Sequence, residues 1–225
     1  MAPRPVPRVG ERLREMRQRR GVSVRSLARE LGVSASLVSQ IETGKSQPSV
    51  STLYAMTTAL GISVEDVFTA PPTAGESSAG RDEAAGSATR TNVGGLPGPV
   101  LAAIGAARGQ RVGPLVRPGD RQVLQLDSGV TWERLGQLPH PHVDFLLVTY
   151  EPGGSSSSES GLMRHGGSEY GYLLSGELVL TLGSEELRLG PGDAISFDST
   201  TPHRYRNDGM EPAVGVWFVT ESDRI

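Results

Sequence analysis

A chain of 225 residues is long enough to form two small domains, each with its own hydrophobic core. It contains no cysteine, which excludes disulfides, thiolate zinc sites and cysteine nucleophiles and fits a reducing cytoplasm. No run approaches the roughly 18 apolar residues of a membrane-spanning helix, and the first residues, MAPRPVPRVGERLREMRQRR, lack the apolar core of a signal peptide, so we expect a soluble cytoplasmic protein.

The net charge of −3 conceals an uneven distribution along the chain. Residues 1–45 hold ten basic and four acidic side chains, so this segment carries +6 and the remainder carries −9. A basic end on an acidic body is the pattern expected of a protein that brings one end to nucleic-acid phosphates. The charge alone would also fit a solvated charged helix.

The hydrophobic pattern divides the chain into a helical part and a β part. Apolar residues recur at helical spacing between residues 8 and 68. The next stretch, APPTAGESSAGRDEAAGSATRTN, has almost nothing to bury and predicts a flexible linker, which residues 93–110 either continue or interrupt with a short helix. Beyond it, short apolar runs such as LVLTL and LRL, on either side of Gly183-Ser184, predict antiparallel strands. The predicted boundaries are 1–69, 70–111 and 112–225.

Two short helices joined by a tight turn are predicted within the helical part. Ser23 is suited to cap a helix over residues 24–31, and Gly32 permits the turn that follows. Ser34 is suited to cap a second helix that runs to about Thr43. This unit of helix, turn and helix is typical of DNA-binding proteins.

The outward side of the second helix carries side chains that can reach base edges in a DNA major groove. They are short or bear an amide: Ala35, Ser36, Ser39 and Gln40. Gln40 is the best candidate for a bidentate contact to adenine. Lys45 follows the helix and is available to a phosphate.

The stretch RLREMRQRRGVSVRSLARELGVSASLVSQIETGKSQPSVSTLYAMTTALGISVEDVF resembles the five-helix DNA-binding domain of lambda-type repressors and their bacterial relatives, the XRE family. The pattern SxxxLAxxLGVSxSxVSxIExGxxxPS carries the resemblance. It implies that residues 35–42 form the recognition helix and that the partner is double-stranded operator DNA. A helical bundle that contacts protein, or a DNA-binding fold that has lost its DNA, is the alternative. The predicted DNA-binding residues are Arg25, Ser34, Ala35, Ser36, Ser39, Gln40, Thr43 and Lys45, with Arg25, Thr43 and Lys45 as backbone clamps.

Two segments of the β part carry a candidate metal site. In GLMRHGGSEYGYLLSGEL, His165 and Glu169 lie four residues apart across a Gly-Gly bend, and Gly176 would end the strand. In GPGDAISFDSTTPHRYRN, His203 follows the Asp193 turn by ten residues. Two imidazoles and one carboxylate from neighbouring strands can hold a divalent metal and leave positions open for water or a ligand.

These segments resemble the paired motifs of the cupin superfamily, whose fold is a small jelly-roll barrel with metal or ligand inside. The resemblance extends over roughly residues 112–222. Cupin metal sites commonly place a further His where this chain has Met163, so the implied ligands are reduced to His165, Glu169 and His203. That trio suits Fe(II), Mn(II), Ni(II) or Zn(II). Met163 fits equally well a drier cavity for an organic effector.

Other candidate residues carry weaker signals. His140 and His142 form an HxH pattern, but the prolines beside them indicate a loop, so we expect no metal there. Glu159 and Asp144 are expected at the surface or rim. The aromatic residues Tyr170, Tyr172 and Trp217 are expected to pack the barrel rather than to stack on a substrate.

Two classes of function fit these features. The first is a transcriptional regulator without enzymatic activity, a homodimer in which an effector in the barrel changes how two DNA-binding domains meet half-sites about 34 Å apart. The second is a mononuclear iron oxygenase or epoxidase of cupin type with a repressor-like helical domain, since two His and one Glu also form a facial triad. A retained DNA-reading pattern favours the first class.

Overall fold

The computed structural model of the protein describes residues 9–68, 115–136, 143–157 and 161–220. The linker predicted over residues 70–111 lies outside this part of the chain. So do the three side chains His140, His142 and Glu159, whose predicted roles therefore stay predictions.

Five α-helices form the N-terminal domain, called here the head, and this confirms the predicted five-helix fold. They are α1 (Val9–Arg19), α2 (Val24–Leu31), α3 (Ala35–Glu42), α4 (Val50–Leu60) and α5 (Val64–Phe68). The apolar side chains of all five helices meet in one core, in which Leu27, Leu53 and Phe68 are fully buried. Within the described residues, every helix is too short or too polar to cross a bilayer.

The helix-turn-helix unit consists of α2 and α3, and its ends are fixed by local hydrogen bonds. The Ser23 hydroxyl accepts a hydrogen bond from the Ser26 amide at 3.0 Å, and the Ser34 hydroxyl accepts one from the Leu37 amide at 3.1 Å. Gly32 ends α2 with φ of 68°, a left-handed conformation that glycine adopts without the steric cost of a Cβ. The two predicted caps and the predicted turn are confirmed.

A close approach and a buried ion pair hold α1 against α3. A Cβ at Gly10 would collide with the carbonyl oxygen of Ile41, so the contact requires glycine. The Arg17 guanidinium donates from Nε to Glu42 Oε1 at 2.5 Å and from Nη2 to Glu42 Oε2 at 2.8 Å. Hydrogen bonding to Glu42 holds the pKa of Arg17 above its usual value. This bidentate pair fixes the C-terminal end of α3.

Buried ion pairs and hydrogen bonds take part of the positive charge of the head away from its surface. Arg12 is buried, donates to the Asp66 carbonyl at 3.0 Å and pairs with Glu15 at 2.6 Å. Arg12 and Arg17 therefore stabilise the head and do not face DNA. The cations left at the exposed surface of the head include Arg14, Arg20, Arg25, Arg29 and Lys45.

Nine antiparallel strands form the C-terminal domain, called here the barrel, which confirms the predicted all-β fold. They are β1 (Val123–Leu126), β2 (Val130–Arg134), β3 (Val143–Tyr150), β4 (Ser168–Ser175), β5 (Leu178–Leu182), β6 (Glu185–Leu189), β7 (Ala194–Asp198), β8 (His203–Arg206) and β9 (Ala213–Thr220). One sheet has the order β1-β2-β3-β9-β4-β7 and the other the order β6-β5-β8. The predicted runs LVLTL and LRL lie in the β5-β6 hairpin, which turns at Gly183.

Alternation along the strands places one set of side chains inside the barrel. Trp217 on β9 points inward and lies over β4, where a Cβ at Gly171 would come within 2.9 Å of the indole. Tyr170 and Tyr172 on β4 point outward and are about half exposed, at 50% and 48%. The packing prediction therefore holds for Trp217 and is wrong for the two tyrosines. Along β4 they alternate with Glu169, Gly171 and Leu173, whose side of the strand faces the core.

The head is docked on the barrel along a contact called here the docking seam. The polar contacts across it include the hydrogen bonds from Ser51 N to Ser156 O at 2.9 Å, from Asp127 N to Pro48 O at 2.9 Å and from Gln122 Nε2 to Phe68 O at 3.1 Å, and the ion pair of Arg134 with Glu65. The guanidinium of Arg134 also lies 5.7 Å from the centre of the Phe68 ring. Helices α4 and α5 thus face the barrel, which leaves α3 uncovered.

Candidate DNA-binding face and barrel site

Helix α3, the predicted recognition helix, presents most of the predicted DNA-reading residues to solvent. Ser36, Ser39 and Gln40 are exposed on the helix, while Ala35 is half-buried and packs partly against the head core. Val38 and Ile41 on the opposite side are buried. The outward side predicted from the sequence is thus present, with Ala35 at its edge.

The predicted backbone clamps surround this face. Arg25, Thr43 and Lys45 are exposed, as is the capping residue Ser34. The Thr43 hydroxyl donates to the Ser39 carbonyl at 2.8 Å, so its hydrogen is engaged within the helix end. The Ser34 hydroxyl accepts from the Leu37 amide, and a hydroxyl that accepts can still donate its own hydrogen.

The three predicted metal ligands meet inside the barrel. Glu169 comes from β4 and His203 from β8, while His165 precedes β4. Glu169 Oε1 lies 2.8 Å from Nε2 of His165 and 2.9 Å from Nε2 of His203. All three side chains are buried, and their ligand atoms lie within 4.8 Å of one another. The arrangement is compatible with a divalent metal.

Neighbouring groups orient these side chains as a metal site requires. The carbonyl of Thr201 lies 2.8 Å from Nδ1 of His203 and accepts its hydrogen, which leaves Nε2 as the free ligand atom. That Nε2 is buried and makes no hydrogen bond, although Glu169 is close. A buried nitrogen without a hydrogen bond, beside a second imidazole and a carboxylate, is compatible with a ligand to a divalent metal.

The Glu169 carboxylate is ionised at neutral pH. Burial, which raises its pKa, is outweighed by the two histidine side chains, and the pKa is lowered to about 2. The Tyr205 hydroxyl donates to Glu169 Oε2 at 2.9 Å, and the Trp217 indole donates to the Tyr205 oxygen at 3.2 Å. Burial, together with the charge of Glu169, raises the pKa of Tyr205 well above its usual value, so the phenol stays a donor. This chain of donors fixes the second carboxylate oxygen.

A cavity lies beside Glu169, with room for roughly one water molecule. The part of its lining that the structure describes contains no Lys or Arg. Its walls are mostly apolar or aromatic: Val50, Tyr54, Trp132, Leu146, Val148, Tyr150, Met163, Glu169, Tyr205, Trp217 and Val219. Met163, placed in the effector cavity by prediction, is buried in this lining and pairs with His203 through two backbone hydrogen bonds of 2.8 and 2.9 Å.

Sequence reasoning missed the contribution of the head to this cavity. Val50 and Tyr54 belong to α4, and the Tyr54 ring lies parallel to the His165 imidazole, with ring centres 4.1 Å apart and planes 5° apart. In the sequence Tyr54 lies in an apolar helical pattern, so no local signal marks it as a neighbour of a residue beyond the linker. Asp144, expected at the surface, is 4% exposed because it starts the inward-facing set of β3.

Comparisons with known proteins agree with this division. A helix-turn-helix domain family matches residues 8–68 and a cupin domain family matches residues 146–219. The chain is 24% identical over 200 residues to the HTH-type transcriptional regulator PuuR of Escherichia coli, with 88% of this chain and 86% of PuuR covered. The E. coli HTH-type transcriptional regulator SutR is 24% identical over 199 residues, with 88% and 86% covered.

A solved structure that aligns over nearly the whole chain supports the fold. It is an HTH_3 family transcriptional regulator from Vibrio cholerae, 20% identical, which aligns with a TM-score of 0.57 over 96% of both chains. The helical fold, the antiparallel barrel and the two matched domain families lead to one assignment. The chain carries a helix-turn-helix domain over residues 8–68 and a cupin domain over residues 146–219, and it is similar over 88% of its length to HTH-type transcriptional regulators.

Proposed function

We propose that the protein is a sequence-specific DNA-binding transcriptional regulator whose barrel binds a small molecule or a metal and thereby modulates operator binding. One observation carries this proposal: the head and the barrel share a wall. Tyr54 belongs to the DNA-binding head and stacks on His165 of the candidate ligand site. A change of occupancy in the barrel therefore acts directly on a helix of the head.

The barrel would hold a divalent metal through His165, Glu169 and His203. Fe, Mn, Ni and Zn all accept two imidazoles and a carboxylate. The bound ion would supply a Lewis-acidic centre that an effector can ligate. The buried Nε2 of His203, which makes no hydrogen bond, is the feature that supports a metal rather than a purely organic site.

The partner subunit in this proposal is a second copy of the same chain. The outer face of β4 exposes Tyr170, Tyr172 and Leu174, each about half accessible, at 50%, 48% and 49%. Tyr170 also contacts Phe218 of β9 edge to face, at 6.3 Å between ring centres. An apolar face of this kind on a sheet is typical of an interface, and a twofold dimer would present two recognition helices to two half-sites.

The iron oxygenase alternative has less support. The described lining of the cavity offers no cationic side chain to hold an anionic substrate. The exposed face of α3, with Gln40 and two serines, is the face that base reading requires. A regulator would use both the exposed face of α3 and the barrel site, whereas an oxygenase would use only the barrel site.

The test is a fluorescence-anisotropy titration of the full chain against its own upstream intergenic DNA. The titration is made with excess random competitor and at two salt concentrations. Saturable binding that depends on sequence supports the regulator. Weak binding that is shared by all DNA and lost at higher salt contradicts it, and oxygen consumption by the iron-loaded protein then tests the oxygenase.

A further inference from the structure

Tyr54 occupies the space next to the barrel's buried polar cluster although it belongs to the head. Its side chain is 4% exposed, its ring stacks on His165 at 4.1 Å between ring centres, and it meets the Trp132 ring edge to face at 5.8 Å between ring centres. An aromatic ring of the DNA-binding domain thus covers a face of a candidate metal ligand.

The cavity is too small for an organic ligand while Tyr54 remains in place. Its free space accepts roughly one water molecule. The opposite walls, such as Leu146 and Trp217, belong to strands that pair along the six-stranded sheet. Strands fixed on both sides by hydrogen bonds yield less easily than a docked helix. A larger ligand therefore takes the place of Tyr54.

The ring cannot leave without disturbing the docking seam. Val50 and Tyr54 lie one turn apart on the face of α4 that lines the cavity, while Leu53 and Met56 on the other sides are fully buried in the head. The first turn of α4 is tied to the barrel by the hydrogen bond from Ser51 N to Ser156 O.

We propose that Tyr54 is an internal occupant of the effector site, and that a small planar aromatic ligand replaces it and releases the head from the barrel. The ligand class follows from what Tyr54 touches: a flat imidazole face, an indole ring met edge to face and apolar walls favour one planar ring. The proposal rests on the proposed function, because it supplies the step that links the barrel to DNA binding.

The probe is p-cresol, which has the shape of the tyrosine side chain, titrated into the full chain by calorimetry. Tyr54→Ala opens a ring-sized space and removes the internal competitor, so it should bind p-cresol roughly tenfold more tightly than the wild type or better. Tyr54→Phe keeps the ring and is the matched control, with wild-type affinity expected. Failure of Tyr54→Ala to take p-cresol, or equal affinity in all three proteins, overturns the proposal.

Hydrogen exchange at the docking seam gives an independent readout. In the wild type, p-cresol should speed exchange of the peptides over residues 48–54 and 153–157, because the ligand displaces the head. In Tyr54→Ala it should not, because it fills the gap and leaves the head docked. Binding to the wild type without faster exchange at the seam contradicts the proposal.

A second variant acts through docking without touching the cavity. Glu65→Gln removes the charge that partners Arg134 across the seam, so it should loosen the head and strengthen p-cresol binding. A looser seam with unchanged p-cresol affinity overturns the inference. Sequence-dependent DNA binding is measured on the same samples: if it persists while the p-cresol results fail, only this inference falls, and if it is absent, the regulator itself is contradicted.

Discussion

The head and the barrel each bury a carboxylate beside basic side chains, and they satisfy it differently. In the head, both oxygens of Glu42 accept from Arg17, whose Nη1 also donates to the Val22 carbonyl at 2.6 Å. In the barrel, two imidazoles converge on one oxygen of Glu169, and Nε2 of His203 makes no hydrogen bond. Buried polar groups are normally paired. The Arg17–Glu42 cluster therefore needs no further partner, while the cluster of His165, Glu169 and His203 is compatible with a bound metal.

The two domains also place their functional side chains oppositely. The head buries the Arg17–Glu42 pair and exposes Ser39 and Gln40, so changes on that face should alter DNA binding with little effect on stability. The barrel keeps its candidate ligands inside. Changes there should alter binding and packing together, which makes matched controls necessary.

The largest expected effect is a loss of stability when the Arg17–Glu42 pair is broken. Glu42→Ala leaves the Arg17 guanidinium buried without a counter-charge, which should lower the free energy of unfolding of the head by about 3 to 5 kcal/mol. Chemical denaturation followed by circular dichroism measures this loss. Glu30→Ala, an exposed glutamate on α2, is the control and should change stability by less than about 0.5 kcal/mol. Similar effects of the two changes would show that the Arg17–Glu42 pair does not stabilise the head.

Substitutions in the cluster of His165, Glu169 and His203 should lower the affinity of the barrel for a divalent metal. Combined His165→Ala and His203→Ala leaves only Glu169 of the trio, so affinity for Mn²⁺ or Zn²⁺ should fall at least roughly a hundredfold, since even outer-shell partners are worth ten- to a hundredfold. Equilibrium dialysis with elemental analysis measures the metal bound. The matched control is His140→Ala with His142→Ala, for which the sequence predicts no metal role. Retention of metal by the first double variant would exclude the trio as the site.

What the sequence predicted correctly is what short-range chemistry decides. The ends of α2 and α3 follow from serine caps and a glycine turn within a few residues of each helix. The β5-β6 hairpin follows from alternation around Gly183. The convergence of His165, Glu169 and His203 was predicted because their spacing matches a known pair of barrel motifs.

What the sequence did not reveal depends on contacts between distant segments. Arg17 counted as part of a DNA-facing charge, yet it pairs with Glu42 on another helix. Tyr54 followed an apolar helical pattern, yet its ring meets His165 across the docking seam. No local sequence pattern identifies Glu42 as the partner of Arg17 or His165 as the partner of Tyr54, because tertiary packing brings these residues together.

On the exposed face of the head, Gln40→Ala tests base reading. Loss of a bidentate contact should weaken binding to the specific site by about 1 to 3 kcal/mol and leave non-specific binding nearly intact. Competition titrations with specific and random duplexes separate the two. Gln18→Ala removes an exposed amide from α1 and should change neither. An equal loss on all DNA would remove Gln40 from the base-reading set.

The smallest expected effect belongs to Lys45, which has charge but no base-reading geometry. Lys45→Ala should weaken specific and random DNA to the same extent, because a phosphate contact carries no sequence information. It should also flatten the dependence of log affinity on log salt by about 1, since one fewer counterion is released. Lys45→Arg keeps the charge and should preserve the slope. Loss of specificity with an unchanged slope would instead place Lys45 at a base edge, and the head would then read DNA from beyond the end of α3.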